Sequence, residues 1–332
     1  ARRHTRGGDA LRARAVIERA RRGNLDLQTA ASRVRAARTS LAITRGESLP
    51  EVGASGQASR TQQSDDGWLA QVAPDSGFDP QNLYEIGLDA SWEIDLFGRI
   101  RRSIESSRAQ YESTVETERD VMVTLFAEVA RTYIEVREYQ NRLGYARQNM
   151  VVQEKALDLA NQRYDTGLSS QLDVMQARAT LGMTRAVIPD LETAQNHALY
   201  RLAVLLGLDA GSLQPEFAAA APIPRPTGPV TLGLPVDVVR QRPDVRAAER
   251  RLAAQTAQIG VATAALYPDF SLSGFIGLQT RSVDDLFSGD SKMWGVSLPF
   301  NWALFDGGRV RGNIELQQEL TRQRLLDYRQ SV

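Results

Sequence analysis

The feature that most constrains the fold is an internal repeat, because a helical segment followed by a strand pattern occurs twice at one constant spacing. Residues 25–56 align without a gap on residues 243–274, and residues 92–100 align further on with residues 302–310. The identical pairs include Ala30 with Ala248, Arg33 with Arg251, Pro50 with Pro268 and Gly56 with Gly274. Each half therefore predicts a helix, a proline-marked exit, a strand, a loop, a second strand, a Gly-Arg turn and a long helix. Chance similarity between two helices rich in alanine and arginine is the alternative, and the shared strand and turn signals argue against it.

A proline-rich connector joins the two halves. It contains Pro215, Pro222, Pro224, Pro226 and Pro229. Proline at this density cannot continue a helix and favours extended backbone. We expect this segment to run along the outside of the particle.

Two segments, 84–94 and 294–304, alternate between apolar and polar residues, as half-buried β-strands do. Pro299 weakens the second prediction, because proline cannot donate to a strand ladder. Partner strands richer in glycine and serine precede them, near residues 52–62 and 270–280. The apolar faces of the two segments comprise Tyr84, Ile86, Leu88, Ala90, Trp92 and Ile94, and Trp294, Val296, Leu298, Phe300, Trp302 and Leu304.

Alternation alone leaves two interpretations of these strands open. One is an ordinary sandwich whose apolar face covers a core; the other is a set of tilted membrane-spanning strands, which need roughly 9–11 residues each and carry aromatic residues near their ends. The rest of the chain offers no second sheet. Four strands cannot close a barrel alone, and an open edge cannot stand in lipid, so the membrane interpretation requires several copies of the chain.

A helical pattern without proline runs from residue 99 to about residue 166, which at 1.5 Å per residue corresponds to roughly 100 Å. Apolar residues recur in it every seven positions, a period that indicates helices wrapped around one another. These positions are Val115, Met122, Val129, Val136, Leu143, Met150, Leu157 and Tyr164.

The chain then turns at residues 164–170, where Gly167 suits a helix C-terminal cap and Ser169 or Ser170 an N-cap. A returning helix follows to residue 206, with a kink expected at Pro189. Its predicted apolar side comprises Leu172, Met175, Leu181, Ile188, Leu191, Leu202 and Leu205.

The composition offers little for catalysis or cofactor binding. The 40 basic and 40 acidic residues give zero net charge, without a one-sign patch for nucleic acid. There is no cysteine, no run of about 18 apolar residues, and no phosphate-binding glycine loop. There are two histidines: His4 lies at a start of the chain that we expect to be frayed, and His197 has no second histidine or carboxylate beside it at ligand spacing. We therefore expect neither an enzyme nor a metal or cofactor site.

Four motifs resemble the TolC-like outer-membrane efflux proteins, specifically the lipid-anchored subgroup that includes NodT and OprM. They lie at residues 24–34 (Asn-Leu-Asp-Leu-Gln-Thr-Ala-Ala-Ser-Arg-Val), 92–99 (Trp-Glu-Ile-Asp-Leu-Phe-Gly-Arg), 163–174 (Arg-Tyr-Asp-Thr-Gly-Leu-Ser-Ser-Gln-Leu-Asp-Val) and 242–249 (Arg-Pro-Asp-Val-Arg-Ala-Ala-Glu), the last continuing to Tyr267-Pro268. The resemblance implies a mainly α fold with membrane β-strands. Long antiparallel helices would form a periplasmic α-barrel, and each protomer would give four strands to a shared twelve-stranded trimeric β-barrel.

The resemblance also implies the organisation of the chain along its length. The expected segments are an equatorial segment (1–24), an α-barrel helix (25–50), the first β-barrel hairpin (51–97), a long helical hairpin (98–208), an equatorial connector (209–241), an α-barrel helix (242–267), the second β-barrel hairpin (268–306) and the truncated start of a second long helix (307–332). We expect a lipid-anchor cysteine to lie outside the chain, upstream of Ala1.

By the same resemblance, the function would be that of the outer-membrane channel of a tripartite efflux system, a passive conduit from the periplasm to the exterior. Its partners would be two further copies, a periplasmic adaptor, an inner-membrane pump and outer-membrane lipid. A channel for protein export and, less favoured, a soluble periplasmic coiled-coil adaptor are the alternatives.

The resemblance assigns expected roles to individual residues. Gly167, Leu168, Ser169 and Ser170 would form the tip that contacts the adaptor, and Asp173 would belong to the gate of the periplasmic aperture. The lipid-facing residues would be Tyr84, Ile86, Leu88, Trp92, Trp294, Val296, Leu298, Phe300 and Trp302.

Overall fold

The structure, a computed structural model, describes residues 5–62, 80–224 and 235–332. Two compact units divide the chain. The first comprises residues 1–34 and 115–244, and the second comprises residues 35–114 and 245–332.

Helices build the first unit. They are α1 (Thr5–Gly23), the start of α2 (Leu25–Gly46), most of α3 (Arg99–Asp165), α4 (Gln171–Leu205) and the short α5 (Pro235–Gln241). The 67 residues of α3 form one uninterrupted helix, as the sequence predicts. Helix α4 likewise continues through Pro189 as one helix.

The sevenfold pattern of α3 forms the core of the first unit. Val129, Val136 and Leu143 are buried at consecutive heptad positions, which confirms the predicted seam in the middle of the helix. Towards the C-terminal end of α3 the seam opens, and Tyr164 is exposed. The cluster around this seam contains Val16, Ala20, Leu27, Leu125, Val129, Tyr133, Val136, Ala198, Leu199, Leu202, Ala203, Leu206, Leu213 and Phe217. Complete burial of one such large side chain contributes about 1.5–3 kcal/mol.

The beginning of the proline-rich connector is anchored in this core. Phe217 is buried and packs edge-on against Tyr133, at 5.8 Å between ring centroids. The guanidinium of Arg137 lies 4.6 Å from the centre of the Phe217 ring and donates to the carbonyl of Ala219 at 3.2 Å. The amide of Gln140 donates to the carbonyl of Phe217 at 2.5 Å. Cation–π attraction and these hydrogen bonds compensate for burying the Arg137 charge. Residues 225–234 of the connector lie outside the described residues.

The second unit contains an antiparallel sheet. Its strands are β1 (Glu51–Thr61), β2 (Gln81–Ile94), β3 (Asp269–Thr280), β4 (Lys292–Ser297) and the short β5 (Phe300–Asn301). The order is β1-β2-β3-β4, and β5 also pairs with β3. Helices α6 (Pro243–Ala264) and α7 (Arg309–Ser331) accompany the sheet in sequence.

The internal repeat is a structural repeat. Helices α2 and α6 both contain 22 residues, and the predicted spacing relates their first and last residues. The same spacing relates Glu51 and Asp269, which begin β1 and β3. Alanines on the inner side of α6 allow α3 to approach, and Ser106 and Ser113 of α3 donate to carbonyls of α6 at 2.9 and 3.0 Å.

The predicted strand at 294–304 is interrupted and ends early. Strand β4 stops at Ser297, β5 covers two residues, and residues 302–304 lie outside any strand. Ser273 lies opposite Ser297 and Phe270 opposite Phe300, so the register is the same on both sides of the interruption. Pro299 accounts for the interruption. Its carbonyl accepts from the Ser271 amide at 3.0 Å, but proline has no amide to return the bond.

Candidate functional site

The register of the sheet places the predicted apolar residues on one face. Directly paired residues in antiparallel strands point to the same side. Leu88 of β2 lies opposite Ile276 of β3, which in turn lies opposite Trp294 of β4. In this way Tyr84, Ile86, Leu88 and Trp92 share a face with Trp294, Val296 and Phe300. We refer to this side as the apolar face. Leu298 and Trp302 belong to no strand, although both are exposed.

The apolar face is open along much of its extent. Trp294 is 77% exposed, Val296 72% and Phe300 67%, whereas a core-facing side chain would be almost completely covered. Contiguous exposed apolar surface of this kind marks an interaction with protein or membrane.

The sequence analysis missed several members of the apolar face. Val52, Leu272 and Ile276 lie on it through their pairing with Ala90, Trp92 and Leu88. All three are exposed. Glycine and serine beside them in sequence hide the alternation of apolar and polar residues in these strands. Pairing residues 270–280 with residues 84–94 would have placed Leu272 and Ile276 on the apolar face.

The opposite side of the sheet, called here the polar face, carries mostly small and acidic side chains, together with the apolar residues Leu83, Phe275 and Met293. It includes Gly53, Ser55, Gly87, Ser91, Ser271, Ser273, Gly277, Gly295 and Ser297. Five carboxylates share it, at Glu51, Glu85, Asp89, Glu93 and Asp269. One face of the sheet is therefore largely apolar, and the other is largely small or acidic.

Two tryptophans tie the strands to the preceding helices. The indole N–H of Trp92 donates to the carbonyl of Ser48 at 3.1 Å, and that of Trp302 donates to the carbonyl of Leu266 at 3.1 Å. Ser48 and Leu266 are equivalent in the repeat. Trp92 and Trp302 were predicted as lipid-facing, and the structure shows that the indole of each also hydrogen-bonds the exit of α2 or α6.

A repeated turn leads from the sheet into the long helices. Gly98 and Gly308 both have left-handed backbones, with φ of 84° and 87°. Asp95 accepts from the amides of Ile100 and Arg101 at 3.1 and 2.9 Å, and Asp306 accepts from the amide of Val310 at 2.8 Å. Each aspartate satisfies amides that have no partner within the helix.

The predicted tip in the first unit is a tight turn between α3 and α4. Gly167 has φ of 74°, its amide donates to the Tyr164 carbonyl, and the Leu168 amide donates to the Arg163 carbonyl. These two bonds form a Schellman cap, for which glycine is preferred. Leu168 at the turn is 78% exposed. An apolar side chain at a rigid, exposed turn is suited to contact with another protein.

Ser170, and not Ser169, is the N-cap of α4. The Asp173 amide donates to the Ser170 side-chain oxygen at 3.3 Å, and the Asp173 carboxylate accepts from the Ser170 amide and hydroxyl, both at 2.9 Å. This is a reciprocal capping box. The hydrogen bonds from the backbone and hydroxyl of Ser170 lower the pKa of Asp173. Asp173, predicted as part of a gate, thus also has a local role in the cap.

The predicted apolar side of α4 is only partly buried. Val174 and Leu181 are buried, whereas Leu172 and Met175 are exposed. The described residues of the first unit therefore cover only part of the apolar surface of α4.

The described part of the chain contains no group of three or more acidic, histidine or cysteine side chains arranged to hold a metal ion. Among the helices within it, none combines the length and the apolar character needed to cross a membrane.

Relatives of known family show similarity over most of the chain. The toluene efflux pump outer membrane protein TtgF of Pseudomonas putida is 31% identical over 321 residues, which is 96% of this chain and 65% of TtgF. Nodulation protein T of Rhizobium leguminosarum bv. viciae is 33% identical over 88% of this chain and 58% of its own length. The chain thus spans about two thirds, or less, of these curated relatives.

Solved structures agree with the fold. The outer-membrane channel OprN superposes with a TM-score of 0.87 at 36% sequence identity, over 96% of this chain and 70% of that one. A membrane protein from Pseudomonas aeruginosa superposes with a TM-score of 0.88 at 28% identity, over 96% and 73%. The model of the outer membrane efflux protein family matches residues 16–208 and 234–332. Taken together with the amphipathic sheet and the long helical hairpin, this match shows that the chain belongs to the outer membrane efflux protein family.

Proposed function

We propose that the chain is the outer-membrane channel component of a tripartite efflux system, a passive and non-catalytic conduit for small molecules. The observation that carries the proposal is the exposed apolar face of the sheet, backed by a polar face of small and acidic residues. A sheet of this composition suits lipid on one side and water on the other.

Several copies of the chain are needed to form the conduit. Strands β1 and β4 are the edges of the described sheet, and each leaves backbone groups unpaired on its outer side. Unpaired backbone groups are too costly in lipid, so the edges must meet the edges of other copies. We propose three copies and a twelve-stranded barrel, as the family resemblance implies.

Cysteine cross-linking tests this arrangement directly, because residues 1–332 contain no cysteine. Cysteines placed on β1 and β4, for example Ser55→Cys with Ser297→Cys and neighbouring pairs on the polar face, should yield covalent trimers under oxidation. The single variants are the matched controls and should remain monomeric on denaturing gels. A protein that stays monomeric and soluble without detergent would contradict the channel.

Small-molecule transport is favoured over protein export. Among the relatives, one is named a toluene efflux pump protein and another a pyoverdine export protein. Deleting the gene should sensitise the host to small toxic compounds and leave its secreted proteins unchanged. Loss of one secreted protein with unchanged sensitivity would favour the export alternative.

For the tip we propose contact with a periplasmic adaptor, which connects the channel to an inner-membrane pump. The exposed Leu168 on its rigid turn supports this proposal. A photo-reactive probe on Leu168→Cys should cross-link the adaptor in cells, while the same probe on Lys155→Cys, an exposed position on α3, should not. Equal cross-linking at both positions would remove the tip from the interface.

For Asp173 we propose a role in the periplasmic gate in addition to the cap. Asp173→Ala removes both the carboxylate proposed for the gate and its hydrogen bonds in the cap. Ser170→Ala weakens the cap and leaves the Asp173 carboxylate in place. A gate predicts higher single-channel conductance in Asp173→Ala than in Ser170→Ala. Equal conductance in the two variants would restrict Asp173 to the cap.

A further inference from the structure

Formal charges are segregated between the two faces of the sheet. Among the strand residues that the structure describes, all five carboxylates lie on the polar face. The apolar face carries two charges, Arg60 and Lys292, and both are positive. Lys292 is one of only two lysines in the chain.

Both basic residues lie at the same end of the sheet. Arg60 is the penultimate residue of β1, and Lys292 is the first residue of β4. Helices α2, α6 and α3 connect to the sheet at its other end, near Glu51, Asp269 and Ile94. The strand residues of the apolar face near that helix end carry no charge.

The surroundings of the two basic residues are those of a membrane interface. Two aromatic residues of the apolar face lie close to Lys292. Trp294 is two residues further along β4, and Tyr84 is two residues before Ile86, which lies across the sheet from Lys292 through Leu278. Aromatic rings mark the interfacial level of membrane strands. Arg60 and Lys292 are both exposed, and neither forms an ion pair with a described residue. A basic side chain on a lipid-facing surface extends towards the interface and requires an anionic partner there.

From this charge pattern we propose that Arg60 and Lys292 bind the phosphate groups of lipid A, the anchor of lipopolysaccharide. The proposal rests on the proposed function, which places the helices in the periplasm and the loop end of the sheet at the outer leaflet. The acyl chains would lie along Ile276, Trp294 and Val296. Closure of the barrel brings β4 of one copy beside β1 of the next, so each site would combine Lys292 and Arg60 from two copies.

Nearby acidic residues affect the design of the test. The loop between β3 and β4 carries Asp284, Asp285 and Asp290. These carboxylates repel phosphate unless a divalent cation lies between them. Binding is therefore measured both with magnesium and with EDTA.

The experiment compares the assembled wild-type protein in detergent with the double variant Arg60→Gln/Lys292→Gln, using lipid A as the probe and native mass spectrometry as the measurement. Loss of about 1 kcal/mol per basic residue corresponds to a roughly fivefold loss of affinity per charge, or about twenty-fivefold for the double variant. The matched control, Lys155→Gln, alters the other lysine and should bind as the wild type does. Dephosphorylated lipid A should bind all three proteins equally.

Several results would overturn the proposal. These are equal binding of lipid A by the wild type and the double variant both with magnesium and with EDTA, or equal competition by phosphatidylglycerol, which would indicate general affinity for anionic lipid. The proposed function fails separately. If none of the proteins forms a channel in planar bilayers, the proposed channel function is wrong. If all of them conduct alike and the double variant binds lipid A as well as the wild type does, only the lipid A site is wrong.

Discussion

Gly23 and Gly207 illustrate how single residues determine the packing of the first unit. A Cβ added at Gly23 would lie 2.2 Å from the carbonyl oxygen of Leu206, and one added at Gly207 would lie 2.1 Å from that of Gly23. Asn24 reinforces this junction, since its side chain caps α2 and donates to the Leu205 carbonyl at 3.0 Å. The end of α4 can therefore approach the α1–α2 junction only if both positions lack a side chain.

We expect Gly23→Ala to destabilise the protein by about 3 kcal/mol or more, because the clashing atom belongs to the backbone and cannot move aside cheaply. Gly182→Ala is the matched control. It lies within α4 with open space around it, and alanine should stabilise the helix there by about 1 kcal/mol. Thermal unfolding in detergent would measure the stability of both variants. Equal shifts of the melting temperature would contradict the close approach of Gly23 to the Leu206 carbonyl.

Asp173 gives the tip a predictable response to pH. Its pKa is lowered by the hydrogen bonds from Ser170, so the folded state gains stability above the ordinary carboxyl pKa and loses it as the pH falls through the lowered value. We expect the first turn of α4 to exchange amide hydrogens faster in Asp173→Asn than in the wild type at neutral pH. After correction for intrinsic rates, the difference should begin to shrink as the pH falls below about 4 and should vanish only below the lowered pKa of Asp173. A constant difference at all pH values would contradict this linkage.

Among the helices and strands, the repeat and the heptad were the most informative signals. The ends of α2 and α6 and the course of α3 follow from them because caps, proline and a seven-residue period act locally. Strand β4 was harder to predict. Residues 294–304 alternate as one continuous strand would, although Pro299 interrupts the strand. The end of β5 depends on pairing with β3, whose first residue Asp269 lies opposite Asn301.

The strands provide a prediction that distinguishes the tryptophans. We expect Trp294 to be quenched strongly by brominated lipid, because it is the most exposed of the three described indoles and lies in a strand of the apolar face. Trp92 should be quenched less, since its indole is 37% exposed and bonded to Ser48. Single-tryptophan variants in vesicles would measure this. Absence of quenching at Trp294 would place the apolar face away from lipid.

For the protein as a whole, the orientation of the sheet decides which substitutions the membrane tolerates. Ile276 and Phe275 are neighbours in β3 but lie on opposite faces. Ile276→Arg should reduce the amount of protein in the outer membrane, because a charge on the lipid-facing surface of a membrane strand is destabilising to an extent that depends on its depth. Phe275→Arg, on the polar face beside Asp89, should be tolerated much better. Similar losses from both variants would show that the polar face does not face water.

The order of helices and strands, the repeat, the tip turn and the amphipathic character of the strands could all be predicted from the amino-acid order, because each depends on residues close together in the chain. Other features required distant residues to meet. The tertiary structure decided the anchoring of Phe217 by Arg137, the bonds from the two tryptophans to the helix exits and the close approach of Gly23 to Gly207. It also placed Arg60 and Lys292 on one face of the sheet, since strand register depends on pairing between segments far apart in sequence.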